Sequence, residues 1–400
     1  MLKTSLLIFF LILYILFGAG ITIILKHINN EESKGVKFSH DYFITLLMFF
    51  SEISGLPLYC ILSRKSKKSE RTDSQSVNDE AELQIEEELE DNNKISNKKK
   101  VLYSIIPFIL DNIATFFSGI VIHYLPGAIY MMIKGLTIII CTLLLSKFLL
   151  KNKHIIDHYI AIAFAGVGCI VIGCDTELYK NTNSKDIIIA IVIVLVIMIS
   201  QSGQFIYQEY YMKKYMIDQF FMIGFEGLFG FIFNLILCIS FYYIKCDEAP
   251  GIREHYCVED DENKWRVENL KFCFIQIFDN KIILTLIIIL IIIIAGFNLI
   301  GISIIKYNGS VTRCLIDNIK SFLVWLYFLF PWKKQGLKEQ FDWFRLAGLI
   351  LTLISILIYF GIFKIDEKIT IRRRMRELTP KSESDELVIS RESSIIEKDD

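Results

Sequence analysis

Six charged side chains stand inside runs of otherwise apolar residues: Glu52, Asp111, Lys134, Glu226, Asp317 and Lys320. If such a run crosses a bilayer, a charge at its centre costs about 2.5–3.5 kcal/mol on insertion scales, so it faces a protein interior or a water-filled path rather than lipid. Lys134, Asp317 and Lys320 lie several residues into their runs, too deep to snorkel easily, and are read as lining a solute cavity. The competing reading is structural: Asp317 and Lys320 pair at i, i+3 on one helix, and Asp111 pairs with Lys134 across a hairpin. Glu52 and Glu226 are candidate proton or cation sites, or else bond to neighbouring helices. Arg313 is either a contact for an anionic solute or an interfacial anchor. Asn112 and Asn298 complete the candidate binding set.

Other chemistry is poorly provided for. The string His154-Ile155-Ile156-Asp157-His158 puts two imidazoles on one helix face and approximates an H-x-x-E-H pattern. A zinc site would also need a third ligand and a bound water. His123 and His255 fall on the other side of the expected membrane, so the string reads as a helix start at the interface and no metal is expected. No P-loop, G-x-S-x-G or G-x-G-x-x-G occurs. Neither catalysis, a cofactor nor ATP-driven pumping is therefore expected, and the lack of a filter-like loop disfavours a channel. The net charge is -1 and no basic patch interleaves with aromatics, so nucleic acid is not an expected partner.

The elements that must position these residues follow from composition. The chain has 400 residues, 53% of them hydrophobic, and a mean hydropathy of +0.46. The apolar excess is gathered in blocks of about 20 residues, the length of a membrane-spanning helix. An all-α polytopic membrane protein of about ten spans is expected, near 4–25, 42–62, 101–123, 126–150, 156–174, 187–206, 219–244, 282–305, 311–331 and 343–364. The first is too long for a secretory h-region and lacks an A-x-A site, so it is read as retained. Residues 63–100 run basic, acidic and basic again, and are read as a disordered cytosolic insert with a short helix near 80–89; the tail 366–400 is read as disordered too.

Basic residues at Arg64–Arg71, Lys151, Lys153, Lys213, Lys214, Lys306, Arg313 and Arg372–Arg376 fall on one side, which places both termini in the cytosol. Lys333, Lys334 and Lys338 fall on the other. The Asn308-Gly309-Ser310 sequon is then cytosolic and unglycosylated. The loop 245–280 lies outside the cytosol, where its cysteines, Cys246, Cys257 and Cys273, either hold one disulfide or stay free.

The two halves look alike. Asn112 and Asn298 are 186 residues apart, and so are Lys134 and Lys320. Each pair of spans is joined by a very short connection, Tyr124-Leu125-Pro126 and Tyr307-Asn308-Gly309. Five spans per half is an odd number, so the halves, 1–175 and 186–365, would form an inverted repeat with the solute site between them near the midplane. Ala165, Cys169 and Gly173 recur at four-residue spacing, which suits close helix packing inside the chain or at a homodimer face.

Several strings carry a resemblance: Met48-Phe49-Phe50-Ser51-Glu52, Asp111-Asn112-Ile113-Ala114-Thr115, Tyr130-Met131-Met132-Ile133-Lys134-Gly135, Phe225-Glu226-Gly227-Leu228-Phe229-Gly230, and Phe297-Asn298 through Ser310-Val311-Thr312-Arg313 and Leu315-Ile316-Asp317. On these the chain resembles the EamA-like drug/metabolite transporter superfamily, and within it the F6-like branch of solute carrier family 35, relatives of nucleotide-sugar transporters. More distantly it is similar to chloroquine-resistance-transporter-like proteins, which share ten spans and a Cys-bearing lumenal loop. Lys134 stands where the family usually has Arg, and Tyr130 where it often has Gln. The resemblance implies an endomembrane location (lysosome, vacuole or Golgi) and alternating-access transport of a small polar or organic solute. Two alternatives stand beside it: a proton-coupled exporter of amino acids, peptides or cationic drugs from an acidic organelle, and a non-transporting membrane scaffold.

Overall fold

The computed structural model describes residues 2–73, 96–121, 127–150, 156–173, 184–246, 257–259, 265–330 and 341–360. The acidic middle of the expected insert, the Tyr124-Leu125-Pro126 connection, His154, His123, His255, Lys333–Lys338 and the tail 366–400 lie outside these residues. Helices occupy all ten expected apolar stretches. They are α1 (Leu2–Ile28), α2 (Asp41–Glu52), α3 (Gly55–Asp73), α4 (Asn97–Tyr103), α5 (Ile105–Val121), α6 (Gly127–Leu149), α7 (Ile156–Gly173), α8 (Ser184–Lys214), α9 (Gln219–Tyr243), α10 (Leu270–Asp279), α11 (Lys281–Asn308), α12 (Ser310–Leu329) and α13 (Trp343–Tyr359). Two small antiparallel hairpins, β1 (Glu32–Ser33) with β2 (Val36–Lys37) and β3 (Val258–Glu259) with β4 (Trp265–Arg266), lie in the connections.

Among the described residues six helical segments are long and apolar enough to cross a bilayer: Ile8–Ile28, Asp41–Lys65, Asn97–Val121, Ile188–Lys214, Gln219–Tyr243 and Lys281–Asn308. α7 and α13 are shorter apolar helices. The distribution of polarity is that of a membrane protein. Ile292 is 64% exposed on the outside of α11, whereas Glu226 inside α9 is 0% exposed. Ile188, Ile191 and Val192 of α8 are likewise exposed. A row of exposed isoleucines around buried carboxylates is stable only where the outer solvent is hydrocarbon.

Two boundaries differ from expectation. The stretch 42–62 is two helices, broken at Ile53-Ser54, and the second continues to Asp73. The expected insert therefore begins inside α3, because Lys and Arg sustain a helix as well as Leu does. The apolar stretch ending at 206 also continues, to Lys214, so the polar C-terminal third of α8 stays helical.

The helices pack in a reciprocal pattern. α7 lies on α13, α2 on α9 and α6 on α12; α5 lies on α8 as α1 lies on α11; α6 lies on α8 as α1 lies on α12. α11 passes to α12 through Gly309 alone, whose φ of +92° suits glycine. The freed N-terminus of α12 is met by Glu209 of α8, which accepts from the Ser310 amide at 2.7 Å and its hydroxyl at 2.6 Å.

At the opposite end, residues 29–40, 245–246, 257–259 and 265–280 form a cap. Cys246 and Cys257 are disulfide-bonded there, while Cys273 is free and buried. Burial, and then the nearby Glu268, push the Cys273 thiol far above its usual range. His40 Nδ1 lies 2.6 Å from Glu268 Oε1 and its Nε2 lies 3.0 Å from Gln276 Oε1, all three side chains buried.

Candidate functional site

α12 gathers three of the candidate residues. Asp317 Oδ1 lies 2.7 Å from Lys320 Nζ, the i, i+3 pair of the structural reading. The Tyr14 hydroxyl of α1 donates to the same oxygen at 3.2 Å. Lys320 Nζ also lies 4.8 Å from the ring centre of Phe297 on α11, and Phe297 stacks on Tyr14 at 4.5 Å. The pair is not sealed: the Asp317 side chain is 31% exposed and that of Lys320 18%. Yet α12 is packed by α1, α6, α11 and α13. Partly exposed charges in the middle of an apolar bundle are expected to face protein or water rather than lipid.

Arg313, one turn earlier, is buried rather than anchored at the membrane surface. Its guanidinium lies 4.4 Å from the ring centre of Phe205 on α8. It presses on Gly301 of α11, where a Cβ would come within 3.0 Å of it. Its charge reaches Glu52 and Asp111 as well as Asp317 and Tyr14. Arg313 thus ties α12 electrostatically to α1, α2 and α5.

Lys134 does not meet the Asp317–Lys320 pair directly. Its Nζ donates to Ser118 Oγ of α5 at 3.2 Å, and the Tyr130 hydroxyl donates to the same atom at 2.7 Å. Among the described residues it forms no ion pair with Asp111, though the two charges interact. The neighbouring Gly135 is where α6 touches α12. Asn318 Nδ2 donates to its carbonyl at 3.1 Å, and a Cβ there would collide with the Asn318 side chain. The two spans matched by the 186-residue spacing therefore meet next to Lys134, whereas Lys320 turns toward Gly18 of α1 and Phe297 of α11.

Glu52 and Asn298 are partners: Asn298 Nδ2 donates to Glu52 Oε1 at 2.8 Å, both residues buried. Glu226 is held by two residues that sequence reasoning missed. Gln204 Nε2 and Gln208 Nε2 of α8 each donate to one of its carboxylate oxygens at 2.7 Å. The available signal was Gln201, Gln204 and Gln208 at i, i+3 and i+7, a polar line on one helix face. Such a line shows which face of α8 is polar but not that Glu226 of α9 packs against it.

Asn112 sits elsewhere. It lines a cavity of about 120 Å³ with Ser39, Asp41, Thr45 and Asn234, walled on the cap side by Cys257. Of the two histidines in the string, His158 is the one with a described side chain, and it stacks on Tyr359 of α13 at 4.3 Å. Among the described residues no three His, Cys, Asp or Glu side chains gather as a metal site. Ala165 is buried against the core shared by α6, α7 and α13, the intramolecular of its two readings.

Relatives carry names that fit this arrangement. Solute carrier family 35 member F6 of Homo sapiens is 23% identical over 369 residues, 88% of this chain and 90% of the human protein. The chain is similar to solute carrier family 35 member F6 along most of its length. The Rattus norvegicus member F6 is 22% identical over 94% of this chain and 96% of its own length. An uncharacterized protein of Schizosaccharomyces pombe is 24% identical over 66% of this chain and 76% of its own. The member F6 proteins support the resemblance drawn from the sequence motifs, and with the apolar helices they support a multi-pass membrane protein similar to solute carriers. No family profile matches. A solved crystal structure superimposes with a TM-score of 0.52 over 88% of this chain and 94% of its own, at 11% identity, which speaks for the fold alone.

Proposed function

We propose that the chain is a secondary transporter that carries a small polar or organic solute by alternating access, with ten spans in two inverted five-helix halves, 1–175 and 186–365. The observation that carries this is the partly exposed Asp317–Lys320 pair in the middle of a helix that packs against α1, α6, α11 and α13. The reciprocal packing supports the inverted repeat. Exchanging each span for the one five places on turns α5 on α8 into α11 on α1, and α6 on α8 into α12 on α1, while α2 on α9, α6 on α12 and α7 on α13 map onto themselves. In this reading α6 and α12 meet at the pseudo-twofold axis, and Lys134, Asp317 and Lys320 contact the solute, with Asn112, Asn298 and Arg313 beside them. The termini are cytosolic, and the cap and its disulfide face the lumen of an endomembrane compartment. The resemblance to relatives of nucleotide-sugar transporters makes a solute of that kind the first class to try.

A second reading is favoured by one specific observation. Glu52 and Glu226 are buried and bonded by amides, with no ion-pair partner among the described residues. Such carboxylates suit a proton-coupled exporter.

Uptake into proteoliposomes tests the main reading. Lys320→Met is expected to lower uptake at least about tenfold. It should hardly change the unfolding temperature, since a partly exposed pair is worth about 0–1 kcal/mol. The double variant Asp317→Asn with Lys320→Met leaves no lone charge, yet uptake should remain lost. Uptake that survives Lys320→Met, or returns in the double variant, assigns the pair to structure.

A further inference from the structure

The buried centre between α2, α8 and α9 has more hydrogen-bond acceptors than donors. Glu226 is reached by two neutral amides, and Glu52 by one. The acceptors left over are Glu52 Oε2, Gln201 Oε1, Gln204 Oε1 and Gln208 Oε1, each buried and without a partner among the described residues. Where Glu226 is ionised it accepts only, so Gln204 and Gln208 point their Nε2 at it and their Oε1 away from it. The two carboxylates are neighbours: a Cβ on Gly227 would sit 2.6 Å from Glu52 Cβ, and the charges of Glu52 and Glu226 act on each other. Arg313 is the cation whose charge reaches Glu52, Asp111 and Glu226 alike, and Lys134 reaches Asp111 as well, so the three carboxylates share two cations.

Buried carboxylates in excess of their counter-charge are costly, and orphaned amide oxygens add to that cost. The missing complement is a positive charge carrying several N–H donors. An alkali cation supplies charge without donors, and a hydroxyl supplies a donor without charge; a primary ammonium supplies one charge and three donors. We propose that the glutamine line of α8, with Glu52 and Glu226, receives the protonated amine of the transported solute. This rests on the transport reading and narrows its substrate to solutes with an ammonium group. Gln204 and Gln208 then act as specificity-determining residues. They hold Glu226 through their nitrogens and turn their oxygens to the solute.

Thermal unfolding of the purified full-length protein tests the assignment with three probes: a primary alkylamine, its trimethylammonium counterpart and the matching alcohol. The amine is expected to raise the unfolding temperature saturably, as any ligand of the native state does. The other two should do so far less. Gln204→Met is expected to weaken amine binding by on the order of tenfold, the loss of one hydrogen bond to a charged group. Gln201→Met, which keeps side-chain length and bears no bond to Glu226, should weaken binding while leaving the unbound unfolding temperature unchanged. Equal shifts with the trimethylammonium compound or the alcohol overturn the proposal, and so does an amine shift undiminished in Gln201→Met. A response to pH alone, with none to amine, assigns the carboxylates to protons and overturns it too. Flux separates this from the broader reading: Lys320-dependent transport without amine binding leaves transport standing and removes the ammonium site, whereas amine binding without flux does the reverse.

Discussion

Asp279 shows how a single side chain holds the cap. Its carboxyl is kept below the ordinary carboxylate range, first by the hydrogen bond from Lys34, whose Nζ lies 2.9 Å away, and then by that from Ser33 at 3.0 Å. A depressed pKa in the folded state gives stability that is present above the ordinary carboxylate value of about 3.9 and lost as pH falls through the depressed one. The β1–β2 hairpin should therefore stay docked on α10 throughout the mildly acidic range of an organelle lumen and loosen only in stronger acid. Hydrogen exchange of residues 32–37 checks this. Protection should be equal at neutral and mildly acidic pH and fall in strong acid, and Asp279→Asn should lower it at every pH. Buried Gln276, bonded through its Oε1 to His40, donates to the Ser33 and Val36 carbonyls of the same hairpin.

At the scale of elements, the seam between α2 and α9 explains the string Phe225 to Gly230. A Cβ on Gly227 would lie 2.8 Å from the Phe49 carbonyl, and one on Gly230 would collide with the Phe49 ring. Gly224 takes Leu56 of α3 in the same way, within 2.7 Å. The glycines let two helices touch backbone to backbone, which brings Glu52 and Glu226 together. Gly230→Leu is expected to cost about 1–3 kcal/mol by overpacking and to lower the unfolding temperature measured in detergent. Gly119→Ala, with nothing within 4 Å of the added Cβ, should leave that temperature unchanged. Equal effects from the two substitutions would show that the seam is not tight.

For the whole molecule, alternating access requires α1 and α12 to separate at the cap end in one state. There His27 Nε2 lies 3.0 Å from the Tyr327 hydroxyl, and Lys26 Nζ lies 3.9 Å from the ring centre of Phe328. Cysteines at 27 and 327, oxidised to a cross-link, should stop flux, and reduction should restore it; flux that continues through the cross-link argues against this motion. The sequence by itself determined the membrane character and the places of the helices, because blocks of about 20 apolar residues admit few alternatives. It also placed the charges Glu52, Asp317 and Lys320 in the interior, since lipid excludes them. The i, i+3 pairing of Asp317 with Lys320 was legible because it is local to one helix. The partners of Arg313, Lys134 and Glu226 were not. Phe205, Ser118 and Gln204 come from other helices, and which faces meet is settled only when the bundle packs. The tertiary structure alone separated Asn112, at the cavity beneath the cap, from Lys134, at the α5–α6 contact, although one spacing had suggested both. Hydropathy fixes depth in a membrane, whereas a site is made by long-range contacts that one-dimensional pattern does not encode.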